Sequence, residues 1–283
     1  MKVVDTAFAK SFFRMCGDGF YQGWHERNGG NLSYRLKEDE IREIWDDLNF
    51  ESGRQYDIGT FVPTLAGEFF MVTGSGKYMR NIPDAPEENV CIVKLDASGV
   101  RYQIVWGLTN GGKPTSELPS HLMNLEVCKR RDPNIRVVYH AHPANIIALT
   151  YLLPLDGEIF TREIFEMATE CPVVFPKGIG VVPWMVPGGK DIAVATSKIM
   201  EEQDFAVWAH HGAFACGTDF DMAFGLMHTV EKAAEVLIKV MSVTDKKRQT
   251  ISPRNFRALN APFGIDIDER FLYDKKSNVI GER

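Results

Sequence analysis

The feature that most constrains the fold is the segment IRVVYHAHPANIIAL, in which a short apolar run meets a helix. Residues 135–142 are mostly β-branched or apolar, which is typical of a buried strand, and Pro143 is well suited to begin the helix that follows. The chain therefore contains a buried strand that runs directly into a helix, an arrangement typical of α/β folds. The strand ends in His140 and His142, which are two residues apart and so share one face of the strand. They are either a pair of metal ligands or one buried and one surface histidine with ordinary roles.

The remaining sequence alternates between strand and helix patterns without an internal repeat or a dinucleotide-binding fingerprint. Residues 90–107 read as a hairpin, residues 205–217 as two strands turned at Gly212, and residues 219–243 as the longest helix. The segment PTSELPSHLMNL predicts a helix with Thr115 or Ser116 as its N-cap. We expect one α/β domain over residues 1–283, with a mixed sheet covered by helices.

Composition and charge exclude several classes of function. The net charge of the 283 residues is -6, which argues against a nucleic-acid surface but leaves room for a small phosphorylated ligand. The five cysteines are scattered and form no C-x-x-C pair, as expected for buried thiols in a reducing compartment. The amino terminus lacks the pattern of a signal peptide, and no stretch approaches the roughly 20 apolar residues of a membrane span. We therefore predict a cytoplasmic protein without a membrane partner.

Further candidate ligands for a metal ion occur at two other places. His210 and His211 follow the apolar run FAVWA, and because adjacent strand residues point to opposite faces, we expect only one of them to bind. Glu117 lies near the start of a predicted helix and could supply a fourth group. Three histidines with one exchangeable position are typical of a catalytic rather than a structural zinc site. His121 is four residues after Glu117 on the same helical face, where it either supports the site or has a structural role.

Three segments are suited to holding an anion. The glycines of the Asn28–Asn31 loop let backbone N–H groups approach a ligand, and the loop also carries two amides. The loop 73–77, TGSGK, offers hydroxyls, glycines and a lysine, and Thr115 and Ser116 lie at a predicted helix N-terminus. The TGSGK loop is not a nucleotide-binding P-loop, because Tyr78 stands where that motif requires serine or threonine.

Several of these motifs together resemble a known family. ERNGGNLSYRL, VTGSGK, PTSELPSH, HAHPANIIALTY, TECPVVFP, VPWMVPG, HHGAF and TVEKAAEVLIK, in this order, are similar to the class II aldolases of the adducin-like superfamily. The resemblance covers about residues 8 to 260. It implies a three-layer α/β fold whose central, mixed but largely antiparallel sheet is flanked by helices. It also implies a homotetramer with its sites near the subunit interfaces.

The resemblance also assigns roles to individual residues. It implies one Zn²⁺ per subunit, bound by His140, His142 and His211, the last chosen because the third ligand of the family directly precedes glycine. It implies two catalytic carboxylates, Glu117 and Glu170. The loops that hold the substrate and its phosphate match Asn28, Gly30, Asn31, Ser75, Gly76, Thr115 and Ser116.

The chemistry implied by the resemblance is reversible aldol cleavage, which needs an electron sink for the carbanion left behind. A Schiff-base lysine would serve, but no lysine of the chain is singled out, whereas a divalent metal ion acting as a Lewis acid suits the histidines. TECPVVFP and VPWMVPG favour the branch that cleaves L-rhamnulose 1-phosphate to dihydroxyacetone phosphate and L-lactaldehyde in rhamnose catabolism. The alternatives are fuculose-phosphate cleavage, pentulose-phosphate 4-epimerisation and a non-catalytic adducin-like interaction module.

Overall fold

The computed structural model describes residues 1–273. Its strands, numbered along the chain, are β1 (Asn31–Arg35), β2 (Tyr56–Asp57), β3 (Phe69–Thr73), β4 (Val90–Leu95), β5 (Arg101–Gly107), β6 (Val137–Ala141), β7 (Gly180–Val182), β8 (Phe205–Trp208) and β9 (Gly212–Gly217). Its α-helices are α1 (Ala7–Tyr21), α2 (Glu38–Ile44), α3 (Pro86–Asn89), α4 (Leu118–Arg131), α5 (Ala144–Leu149), α6 (Gly157–Phe165), α7 (Glu170–Val174), α8 (Lys190–Met200), α9 (Phe220–Met241), α10 (Pro253–Arg257) and α11 (Asn260–Phe263).

Within residues 1–273 the strands form one nine-stranded sheet in the order β2-β5-β4-β3-β1-β6-β9-β8-β7. Every neighbouring pair is antiparallel except β7 and β8, which are parallel. The mixed, largely antiparallel sheet expected from the resemblance is therefore confirmed. The strand with the two histidines, β6, lies near the middle of the sheet between β1 and β9.

Helices cover both faces of this sheet, and the alternation of side chains along β6 shows how the two cores are separated. Val137, Tyr139 and Ala141 pack into the core beneath α1, α5, α6 and α9. Val138 points the other way, into the core beneath α4 and α8, and His140 lies on that same face. In the described part of the chain no helix is both long and apolar enough to cross a membrane.

The start of α4 differs from the prediction made from sequence. Neither Thr115 nor Ser116 is the N-cap, because the helix begins at Leu118 and Glu117 occupies the cap position. Pro119, in the first turn, has no N–H to be capped, so the helix tolerates a start without a capping side chain. A turn precedes it, in which the Thr115 hydroxyl accepts a hydrogen bond from the Glu117 N–H at 3.3 Å.

Candidate metal centre and acid–base site

The imidazoles of His140, His142 and His211 meet at the carboxyl end of β6. One nitrogen from each ring lies within 4.8 Å of the others. His140 is buried on β6, His142 follows the last residue of that strand, and His211 comes from the turn between β8 and β9. Because β6 and β9 are hydrogen-bonded neighbours, the pairing of the two strands brings together histidines about 70 residues apart in sequence.

The hydrogen bonds of these rings leave their Nε2 atoms as acceptors. His140 donates its Nδ1–H to the carbonyl of Ala213 at 3.0 Å, and His142 donates its Nδ1–H to Glu26 Oε1 at 2.7 Å. The two Nε2 atoms then face each other at 3.2 Å. Two lone pairs at this distance need a shared cation, and tetrahedral zinc bound by imidazole nitrogens would separate them by about 3.3 Å. The donor set therefore fits a metal ion, with the rings of His140 and His142 oriented as metal-ligating histidines usually are.

Burial also keeps the rings of His140 and His211 neutral, as metal ligands must be. Desolvation, followed by the neighbouring charges of His142 and His211, lowers the pKa of His140 well below its usual value. Desolvation, followed by the charge of His142, lowers the pKa of His211 to about 4. Protons therefore compete poorly for these nitrogens near neutral pH.

The structure separates His210 from His211. His210 has a left-handed backbone conformation with φ of +62°, so its ring points away from the cluster. Its ring packs against that of Tyr151 at 4.1 Å between centroids, with the two planes tilted by 41°, and its Nδ1 lies 3.0 Å from the hydroxyl of Thr150. His211 is thus the member of the pair whose ring joins His140 and His142.

Glu117 lies beside the cluster and is held by Asn31. Its Oε2 is 3.8 Å from Nε2 of His140 and accepts a hydrogen bond from Nδ2 of Asn31 at 2.9 Å. Burial raises the pKa of Glu117, while the Asn31 hydrogen bond and the His142 charge act in the opposite direction. A carboxyl group with opposed influences on its pKa, next to a metal site, can both accept and return a proton.

The loops predicted to bind an anion line the same pocket as the cluster and Glu117. The pocket is lined by Asn28, Gly29, Gly30, Asn31, Gly74, Ser75, Gly76, Thr115, Ser116, Glu117, His140, His142 and His211. Every predicted site residue except Glu170 is among them. Glu170 is exposed at the start of α7 and does not line this pocket of its own chain.

Two residues near the pocket were not identified from sequence. Glu26 accepts a hydrogen bond from the Nδ1–H of His142, and an acidic residue is a common partner there. His25 is buried, and its Nδ1 donates to the carbonyl of Gly29 at 3.1 Å while its Nε2 accepts from the Tyr139 hydroxyl at 2.7 Å. The adjacent Gly30 has φ of +74°, and a Cβ there would come within 2.3 Å of the His25 ring. His25 therefore supports the Asn28–Asn31 loop from beneath.

Comparison with known proteins identifies the family of the chain. Residues 10–238 match the model of the family described as Class II Aldolase and Adducin N-terminal domain. The chain is 43% identical over 267 residues to a rhamnulose-1-phosphate aldolase of Mannheimia succiniciproducens, covering 93% of this chain and 96% of that one. It is 43% identical over 264 residues to the protein of that name from Escherichia coli strain K12, with the same coverage.

A solved structure gives the same result at the level of the fold. A sugar-phosphate aldolase from Thermotoga maritima superposes with a TM-score of 0.69 at 26% identity, over 85% of this chain and 97% of that one. The chain belongs to the class II aldolase and adducin family.

Proposed function

We propose that the protein catalyses reversible, metal-dependent cleavage of L-rhamnulose 1-phosphate to dihydroxyacetone phosphate and L-lactaldehyde. The observation that carries the proposal is the placement of Glu117 at 3.8 Å from His140, in one pocket with both glycine loops. Two relatives that are 43% identical over 93% of the chain bear the name of this activity, which favours this substrate over other sugar phosphates.

His140, His142 and His211 would hold the metal ion, which we propose to be Zn²⁺ at one per subunit. Three neutral imidazoles leave the full charge of such an ion available. When bound, the ion supplies a Lewis acid that stabilises the enediolate formed by C–C cleavage. The Nδ1–H groups of His140 and His142 fix the orientation of the two rings through hydrogen bonds to Ala213 and Glu26.

Glu117 is proposed as the residue that carries the proton. In cleavage the C4 hydroxyl loses its proton, the C3–C4 bond breaks, and its electron pair remains on C3. Glu117 then delivers a proton to C3 and gives dihydroxyacetone phosphate; in synthesis it removes that proton. The exposed Ser75, Gly76 and Ser116 offer hydroxyl and N–H groups to the phosphate, at a pocket edge that water can reach.

Glu170 is proposed as the group that takes the C4 hydroxyl proton, contributed by a neighbouring subunit. Within its own chain it is exposed and lies outside the pocket, which is consistent with a site completed by a second copy. We accordingly propose a homotetramer with sites near its interfaces, in which each chain acts as one domain. A cytoplasmic location and a role in rhamnose metabolism belong to the same proposal.

The test is a coupled assay for dihydroxyacetone phosphate released from L-rhamnulose 1-phosphate, with and without a chelator. We expect release that stops on chelation and returns with zinc. Activity that survives chelation would point to a lysine mechanism. Release only from L-fuculose 1-phosphate, or isomerisation of a pentulose phosphate, would transfer the proposal to those substrates, and a zinc-free, inactive protein would favour an interaction module.

Glu117→Gln tests the assignment of the proton carrier. We expect the variant to keep its fold and bound metal but to lose at least about a thousandfold in kcat, because general acid–base groups contribute about that much. Glu235→Gln, at a half-buried position of α9 outside the pocket, is the matched control and should be unaffected. A near-normal kcat in Glu117→Gln contradicts the role.

A further inference from the structure

Behind Glu117 a chain of hydrogen bonds runs into the core through side chains that the proposed reaction has not used. Asn31 donates from Nδ2 to Glu117, and its Oδ1 is hydrogen-bonded to Nε2 of His121. His121 Nδ1 in turn lies 2.7 Å from the hydroxyl of Ser33. Ser33, His121 and Asn31 are all buried, and His121 has no exposed surface. We call these three residues the Ser33–His121–Asn31 relay.

The relay arises from the side-chain repeat of a strand and the side-chain repeat of a helix. Asn31 and Ser33 are two apart on β1 and so point to the same face of the sheet, where Asn31 is the cross-strand partner of His140. Glu117 and His121 are four apart at the start of α4, so they project from the same side of the helix. Packing α4 on this face of the sheet interleaves the four side chains.

The direction of each hydrogen bond is determined by chemistry. A carboxylate only accepts hydrogen bonds, so Asn31 must present its NH₂ group to Glu117 and its carbonyl oxygen to His121. The His121 ring is neutral, since burial lowers its pKa to about 3, and therefore carries one N–H. That N–H must be on Nε2, which leaves Nδ1 to accept from the Ser33 hydroxyl. The opposite amide orientation would place the Asn31 oxygen against the Glu117 carboxylate.

We propose that His121 is a positioning residue, which together with Ser33 locks the amide of Asn31 so that its NH₂ group holds the Glu117 carboxylate in place beside the metal centre. The inference rests on the proposed function, in which Glu117 moves a proton to and from carbon. A neutral relay suits this role, since it orients the carboxylate without placing another charge in the buried site. Loss of such an orientation by about 1 Å can cost about a hundredfold in rate.

The experiment uses the half-reaction that needs Glu117 but no aldehyde. Zinc-loaded enzyme is mixed with dihydroxyacetone phosphate in D₂O, and loss of the C3 hydrogen signal is followed by NMR. Glu117 removes the proton, the C–H electron pair stays in the enediolate, and the exchanged carboxyl group returns a deuteron. Metal content and the thermal midpoint are measured on every variant.

His121→Gln and His121→Asn form a matched pair, since both introduce an amide but with different reach. The longer glutamine places its NH₂ group near the position of Nε2 and can still donate to Asn31. The shorter asparagine reaches only the position of Nδ1, so it can contact Ser33 but leaves the Asn31 oxygen without its donor. We expect kcat for exchange to stay within about threefold of wild type in His121→Gln and to fall at least about thirtyfold in His121→Asn. KM should change less than kcat, because Ser75, Gly76 and Ser116, which offer groups to the phosphate, lie outside the Asn28–Asn31 loop.

Each outcome decides between the alternatives. Equal kcat in His121→Asn and wild type overturns the inference, and so does an equal loss in both variants at full metal content, which would mean that only packing matters. If His121→Asn does not fold, Ser33→Ala is measured instead. We expect its kcat for exchange to fall about fivefold, and a fall of less than twofold overturns the inference. If the metal-loaded wild-type enzyme shows no exchange, the proposed function is overturned, and the inference about the relay fails with it. An active wild-type enzyme whose variants exchange at the same rate is a different result, which overturns the inference alone.

Discussion

Gly19 of α1 tests whether the His25–Tyr139 pair supports the pocket from beneath. A Cβ at Gly19 would lie 2.1 Å from the Tyr139 hydroxyl and 2.6 Å from Nε2 of His25. Gly225 of α9 is the matched control, because it is also helical and a Cβ there meets nothing within 4 Å. Alanine is normally favoured over glycine inside a helix by about 0.5–1 kcal/mol. The two substitutions therefore share a propensity gain and differ in the contact they create.

The expected net effect follows from the groups that must move. In Gly19→Ala the methyl group separates His25 from Tyr139 and leaves two buried polar atoms without partners, each costing about 1–3 kcal/mol. Subtracting the propensity gain leaves a loss of about 1–5 kcal/mol, with a central value of about 3 kcal/mol. At about 2–4 °C per kcal/mol, the central value corresponds to a fall of the thermal midpoint by roughly 6–12 °C, whereas Gly225→Ala should raise it slightly.

Scanning calorimetry at equal protein and zinc concentrations is the assay, since bound metal and subunit association both shift the midpoint. A kinetic measurement accompanies it. His25 also holds the carbonyl of Gly29, so displacement of its ring should raise KM for the phosphorylated substrate severalfold in Gly19→Ala and leave it unchanged in Gly225→Ala. If Gly19→Ala is as stable as Gly225→Ala, the His25–Tyr139 contact does not support the loop and the argument fails.

Three further predictions concern the histidines. His142→Ala should lose bound zinc in elemental analysis, and full occupancy in that variant would contradict the proposed ligand set. Glu26→Ala should weaken zinc affinity about 10–100-fold in a competition titration with little change in stability, because Glu26 is exposed and acts through His142; an unchanged affinity would refute this. Acidification should destabilise the fold as the pH falls from about 6.5 towards 4, because the pKa of buried His25 is about 4 and the unfolded chain therefore binds that proton first. This amounts to roughly 3 kcal/mol for His25, and stability that stays flat over this pH range in urea titrations would show that the ring is not buried as a neutral group.

Local patterns in the sequence were sufficient to predict most strands and helices, but not which strands pair or in which direction. The hairpin of β4 and β5, the pair β8 and β9, and the long helix α9 all match segments recognised by periodicity and turns. Periodicity alone predicted only a mixed sheet, because the alternation of side chains within a strand carries no information about the direction of the neighbouring strand. The antiparallel arrangement came from the family resemblance, and the structure confirms it.

The residues that sequence reasoning missed act through partners distant in the chain. Glu26 is an exposed loop residue whose role becomes visible only when His142, 116 residues away, lies beside it. His25 depends in the same way on Tyr139, which projects from the opposite face of β6 to His140. A chemical argument could have identified Glu26 from sequence. The ring nitrogen of a metal-binding imidazole that does not contact the metal generally donates its N–H to an acceptor, and Glu26 adjoins the Asn28–Asn31 loop.

The pair His210 and His211 shows where pattern and structure give the same answer for different reasons. Strand alternation predicted that only one of the two faces the metal centre, but His210 and His211 lie in the turn after β8, where alternation no longer applies. The separation comes instead from the positive φ of His210, a conformation that is uncommon for residues other than glycine and is held here by the Thr150 hydroxyl and the Tyr151 ring. Because Thr150 and Tyr151 directly follow α5, the helix that continues from β6, the same segment that supplies His140 and His142 also fixes the turn that delivers His211. The strand-to-helix junction that constrains the fold therefore organises all three imidazoles.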